Sequence, residues 1–147
     1  MDIIEAINMM RRLESLPEIY SSIEKAVIKT VHAYYSEFFE IEEADILYFE
    51  SIEKEENYSK KSIARKIEVH KRYWSNHALF YEPCSISNDP KHDWSRVSDI
   101  EILRNDDDDN QLFLFTAKYK STSGTKLNLS YLLKNINGSF FIEHSFM

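Results

Sequence analysis

Ile19, Ile23, Val27, Val31, Tyr34 and Phe38 recur at spacings of four and three along the chain. This constrains the fold more than any other feature. A stripe of that period exists only on an α-helix, and over about six turns it needs a broad apolar surface to lie against. Pro17 suits the first turn of this helix, and Ser15 with Glu18 three residues on makes a capping pair. The helix is expected to run to about Glu40. "EEADILYFESI" reads as a shorter helix passing into extended chain. "ENYSKKSIARKIEVHKRYWSNH" reads as a further helix, with Ser59 as cap, Ile63, Ile67, His70 or Lys71, and Trp74 on one face, and Asn76 as stop. Before Pro17, Ile3, Ile7, Met10 and Leu13 or Glu14 share a helical face, with Asp2 as cap.

After about residue 78 the period drops to two. "VSDIEIL" alternates around Ile100 and Ile102. "LFLFTAKYK" puts Phe113, Phe115, Ala117 and Tyr119 on one side and Leu112 and Leu114 on the other. "KLNLSYLL" aligns Leu127, Leu129, Tyr131 and Leu133, and "SFFIEHSF" aligns Phe140, Ile142, His144 and Phe146. Gly124 in "STSGTK" and Asn137-Gly138 in "NINGSF" carry hairpin chemistry. "NDDDDN" falls between two strand-like runs and reads as a solvated hairpin tip. Helices first and an antiparallel meander after give an α+β plan: N-terminal helices on a strongly curved sheet, a cone. One domain is expected over 1–147, with an extra N-terminal helix (1–16), a helical part (17–77) and the meander (78–147).

The chain has 147 residues, enough for a sizeable core. Two glycines exclude a phosphate-cradling or dinucleotide-binding loop, which needs several close together. A single cysteine, Cys84, permits no internal disulfide and fits a reducing compartment. "MDIIEAINMM" carries acids where a signal peptide has Lys or Arg, and no run approaches the ~18 apolar residues of a membrane span. A cytoplasmic protein with no membrane partner is expected. The net charge of −7 repels nucleic acid and favours basic partners. The basic run Lys60, Lys61, Arg65, Lys66, Lys71 and Arg72 reads as a solvated helix face paired in part with "EIEE" or "EKEE".

Site chemistry is thin. His70 and His77 stand two helical turns apart, about 10 Å, too far to share a metal ion. His92-Asp93 has no further ligand nearby in sequence. From Asp106, the sixth and twelfth positions of a calcium loop would be Gln111 and Ala117, where glycine and glutamate are needed. Nothing near Cys84 lowers a thiol pKa. Asp99 is offset from the inward face of its strand unless a bulge intervenes. No metal and no cofactor are expected.

Three stretches, "VHAYYSEFFE", "ADILYFESIEKEENYSKKSIARKIEVHKRYW" and the closing hairpin "LNLSYLLKNINGSFFIEHS", resemble the nuclear-transport-factor-2-like superfamily, the cystatin-like cones, over residues 18 to 146. The family spans isomerases, dehydratases, ligand binders, transport factors, secretion subunits and bacterial immunity proteins, so fold alone does not set function. No family catalytic motif is matched. With the acidic balance, the resemblance implies a protein-binding module, most concretely an immunity protein that neutralises a basic toxin by occluding it. Its contacts would be Asp106, Asp107, Asp108, Asp109, Glu53, Glu55 and Glu56, with Trp94 as an exposed aromatic anchor. The alternative is an isomerase- or dehydratase-like pocket in the cone, lined by His32, Tyr34, Trp74, Tyr131 and His144. A third reading is a homodimer through the outer sheet face, where Leu112, Leu114 and Leu132 need cover.

Overall fold

A stripe of apolar side chains from Val27 to Ile41 lies along one side of a 29-residue helix, α1 (Ser22–Glu50). The computed structural model describes residues 13–15, 22–79, 83, 85–105 and 112–146. Helix α1 does not stop near Glu40. No glycine or proline interrupts it, and its buried face continues through Ile41 into Glu42 and Asp45. Those two are polar, so apolar periodicity alone ends the helix a few turns early. At the other end Ile23 is 49% exposed rather than packed. A second helix, α2 (Tyr58–Tyr73), follows the α1–α2 elbow. Its N-cap is Asn57 in the left-handed region (φ 63°), not Ser59.

The inward face of α2 also differs from expectation. Ser62, Lys66, Val69 and His70 are buried, while Ile63 and Ile67 are only half-buried. The reason lies on α1, where Asp45 is fully buried and requires polar partners.

The chain turns directly from α2 into β2 (Trp74–Leu79), the second strand after β1 (Leu13–Ser15). Trp74 therefore opens a strand instead of continuing a helical face, and Asn76 lies within that strand instead of stopping the helix. Strands β3 (Val97–Asn105), β4 (Leu112–Lys120), β5 (Lys126–Ile136) and β6 (Ser139–Ser145) complete a six-stranded open sheet in the order β1-β3-β4-β5-β6-β2. The sheet is mixed, because β2 runs parallel to β6 while the other pairs are antiparallel. The purely antiparallel meander is corrected on this point. So is the helical reading of Leu13, since Leu13–Ser15 pairs with β3; Ser15 ends that strand, and Ile3, Ile7 and Met10 lie outside the described residues.

The inner sheet face carries Phe113, Phe115, Ala117, Tyr119, Leu129, Tyr131, Leu133 and Ile142, and α1 packs its stripe onto them. Leu127, at the open end of β5, is 48% exposed. On the opposite face Leu112 (2% exposed), Leu114 (3%) and Leu132 (0%) are already covered within the single chain. The homodimer reading thus loses the exposed leucines that motivated it.

Two irregularities re-aim side chains. The β3–β4 register shifts between Ser98 and Glu101, where Asp99 has φ 53° and points to solvent. The β5–β6 register shifts at Glu143: Leu133 faces Ile142, but Leu132 faces His144. One inserted residue flips the strand's faces. His144 therefore shares the outer face with Leu132, not the inner face with Ile142.

Candidate functional site

Three groupings of polar or exposed side chains lie around α1. The first is inside. Tyr35 and Tyr131, both nearly inaccessible, share a hydroxyl–hydroxyl hydrogen bond of 2.7 Å. Burial raises both pKa values, that of Tyr131 well above its ordinary value. Beside them Glu42 accepts backbone N–H bonds from Lys91 and His92, each 2.9 Å, and His92 Nδ1 lies 3.2 Å from the same carboxylate. The imidazole of His92 lies against Phe38 (4.1 Å between centroids) and Tyr35 (4.9 Å). The hydroxyl of Tyr119 accepts from the Asp93 N–H at 3.1 Å. Glu42 and Tyr119 thus strap residues 91–93 across the helix. His70 stacks on Trp74 at 4.5 Å, and burial, with His92 nearby, lowers its pKa to about 4. The hydrogen-bonding groups of this interior are spent largely on one another and on the backbone.

The second grouping is a buried ion pair between the helices. Lys66 Nζ donates to Asp45 Oδ2 at 2.6 Å, with side chains 6% and 0% exposed. Ser62 and Tyr58 donate to Asp45 Oδ1 at 2.7 and 2.8 Å. Lys66 also reaches the Ser85 carbonyl at 3.3 Å. Tyr58, Ser62 and Lys66 are four residues apart on α2, so one helical face satisfies the whole carboxylate. Burial, and then the Asp45 carboxylate beside it, push the Tyr58 hydroxyl up to about 12.

The third grouping is the elbow between α1 and α2. Ile52 is 98% exposed, Leu47 67% and Phe49 43%. Glu50, Glu53, Glu55 and Glu56 stand in solvent beside them. Glu55 pairs with Lys61, as the charge pattern anticipated. Glu50, Glu53 and Glu56 form no ion pair among the described residues. Lys54, itself exposed, folds back onto the helix end: its Nζ donates to the carbonyls of Tyr48 (2.6 Å) and Phe49 (3.1 Å) and lies over the Tyr48 ring. It closes the C-terminus of α1, where a cation is favoured.

The residues singled out from the sequence divide among these places. Glu53, Glu55 and Glu56 are brought together on the elbow. Trp94 is half-buried, in contact with Tyr35 and Phe115 and with exposed His32 tilted against it at 4.9 Å; it is a packing residue, not an exposed anchor. Tyr34, Trp74 and Tyr131 do meet inside, at 4%, 7% and 2% exposure, whereas His32 and His144 lie elsewhere. Asp106, Asp107, Asp108, Asp109 and Cys84 lie outside the described residues; the strands flanking the aspartates pair antiparallel. Among the described residues no group of three His, Cys, Asp or Glu side chains could hold a metal ion. Nor is any described helix long and apolar enough to cross a membrane.

The sequence reading missed Asp45, Lys66, Glu42 and Ile52. The four-residue spacing of Tyr58, Ser62 and Lys66 was the available signal for the ion pair. Comparison with protein-family models, curated proteins and solved structures found no match.

Proposed function

We propose that the chain is a protein-binding module that captures a basic partner. In its most concrete form, it is an immunity protein on a nuclear-transport-factor-2-like framework that occludes a toxin domain. The observation that supports this best is the elbow, where exposed apolar side chains stand among glutamates of which Glu50, Glu53 and Glu56 form no ion pair among the described residues. Apolar contacts ringed by charge are the usual composition of a docking surface, and the net charge of −7 steers a basic partner toward it. The test is co-expression with a basic toxin domain encoded beside the chain, followed by pull-down and a growth-protection assay. A salt-sensitive complex and protected cells are expected. Absence of both removes the reading.

The cone-pocket alternative rests on one observation, the gathering of Glu42, His92, Tyr35 and Tyr131 inside the sheet. General acid–base chemistry uses such groups, but it requires them to reach a substrate. Here their exposures are low and their polar atoms largely face one another. A pocket enzyme would leave Tyr35 and Tyr131 titratable in the folded chain; the surface reading expects them to ionise only on unfolding.

A further inference from the structure

We infer that Ile52 is the anchor of a docking site on the elbow, and that its partner presents an apolar pocket ringed by Lys and Arg. This rests on the protein-binding reading and assigns it a residue and a partner chemistry. Three independent observations converge on the position. Ile52 is 98% exposed, the highest value among the large apolar side chains described. Leu47 (67% exposed) and Phe49 (43%) stand within five residues of it, so the elbow presents several apolar side chains rather than a lone one.

The turn is also braced. Tyr48 and Tyr58 stack across it at 4.1 Å with planes 6° apart, and Lys54 ties it to the last α1 carbonyls. Ser51 Oγ donates to the Glu53 carbonyl at 2.7 Å, while Tyr58 hangs on the buried Asp45 carboxylate. The turn that carries Ile52 is therefore held in place, and little backbone ordering entropy remains to be lost on binding.

Charge selects the occupant. Glu43, Leu47 and Glu50 share one exposed helical face, and Glu53 and Glu56 follow Ile52 in the same exposed stretch. A second copy would bring the same carboxylates against these, so a self-dimer is opposed by like charge. An anionic membrane or nucleic acid is opposed for the same reason. A cationic protein surface complements the ring while its pocket takes the isoleucine.

Three short helical peptides serve as probes: one with a leucine stripe flanked by lysines, one with serines replacing the leucines, and one with glutamates replacing the lysines. Binding is read by fluorescence anisotropy and by backbone-amide NMR shifts. The Leu–Lys peptide is expected to bind at least about tenfold more tightly than Ser–Lys, with shifts centred on residues 47–56. Ile52→Ser should erase that preference without changing the melting temperature, since the side chain touches solvent. Survival of the preference in Ile52→Ser, a footprint elsewhere, or no binding of any peptide at low salt overturns the inference. Equal binding of both lysine peptides, with none of the glutamate peptide, overturns the anchor yet leaves the basic-partner reading standing. Ile52-dependent binding of lysine and glutamate peptides alike supports the anchor and removes the basic partner.

Discussion

Tyr131 donates to or accepts from a single side chain, Tyr35, at 2.7 Å in a site closed to water. Tyr131→Phe strands a buried hydroxyl and is expected to cost roughly 1–3 kcal/mol, whereas the double change to phenylalanine should cost less than the sum of the two single changes. Urea unfolding of the double-mutant cycle measures this. Asp45 behaves alike but with charge at stake. Asp45→Ala leaves Lys66 buried and unpaired, for a loss of about 3–5 kcal/mol, while Asp45→Leu combined with Lys66→Met should recover much of it. His70 gives the pH dependence. Its folded pKa, about 4, lies below the ordinary 6.5 because burial disfavours the cation. As pH falls, the unfolded chain takes up this proton first. Stability from this group is therefore complete above pH 6.5 and is lost progressively toward pH 4, by roughly 1–3 kcal/mol. Unfolding midpoints across that range should depend less on pH in His70→Gln. An unchanged slope would mean His70 is not the group responsible.

At the scale of elements, the two hairpins behaved as turn chemistry demands. Asn137 and Gly138 both have positive φ, 54° and 88°, so Gly138→Ala should cost about 1 kcal/mol through the backbone alone, no atom lying within 4 Å of the added Cβ. Thermal melts of that variant check it. The central part of the α1 stripe, the inward residues of β4 and most of β5, and the α+β order were legible because burial there is apolar and periodic. What was not legible is where burial is polar or the register slips. Glu42 and Asp45 extend the α1 face, but a hydrophobic pattern cannot count them. Lys66 reads as surface until Asp45 is known to lie opposite. The single residue inserted at Glu143 moves His144 to the other face, and no local propensity announces it. The parallel β2–β6 pair depends on a long-range return of the chain that spacing does not encode. Of the candidate site, the glutamates were readable as a charge run. The exposure of Ile52 was not, because a lone isoleucine in an acidic stretch reads equally well as buried.

For the whole molecule, the described residues show an apolar core between α1 and the inner sheet face, buried leucines on the outer face, and a braced elbow where Leu47, Phe49 and Ile52 meet solvent. The covered outer leucines predict a monomer by light scattering at micromolar concentration; a stable dimer would reopen the sheet face as an interface. On the proposed function, this chain works by presenting an acidic surface to a basic protein. The most direct test is the association rate with a basic toxin domain found to bind the chain, measured by stopped flow across a range of ionic strengths, for the parent chain and for the Glu53→Gln, Glu55→Gln, Glu56→Gln triple variant. Surface carboxylates that steer encounter should make the parent's rate fall steeply with salt, and the variant should start about tenfold slower at low salt with a flatter dependence. Equal rates and equal salt slopes would contradict the claim.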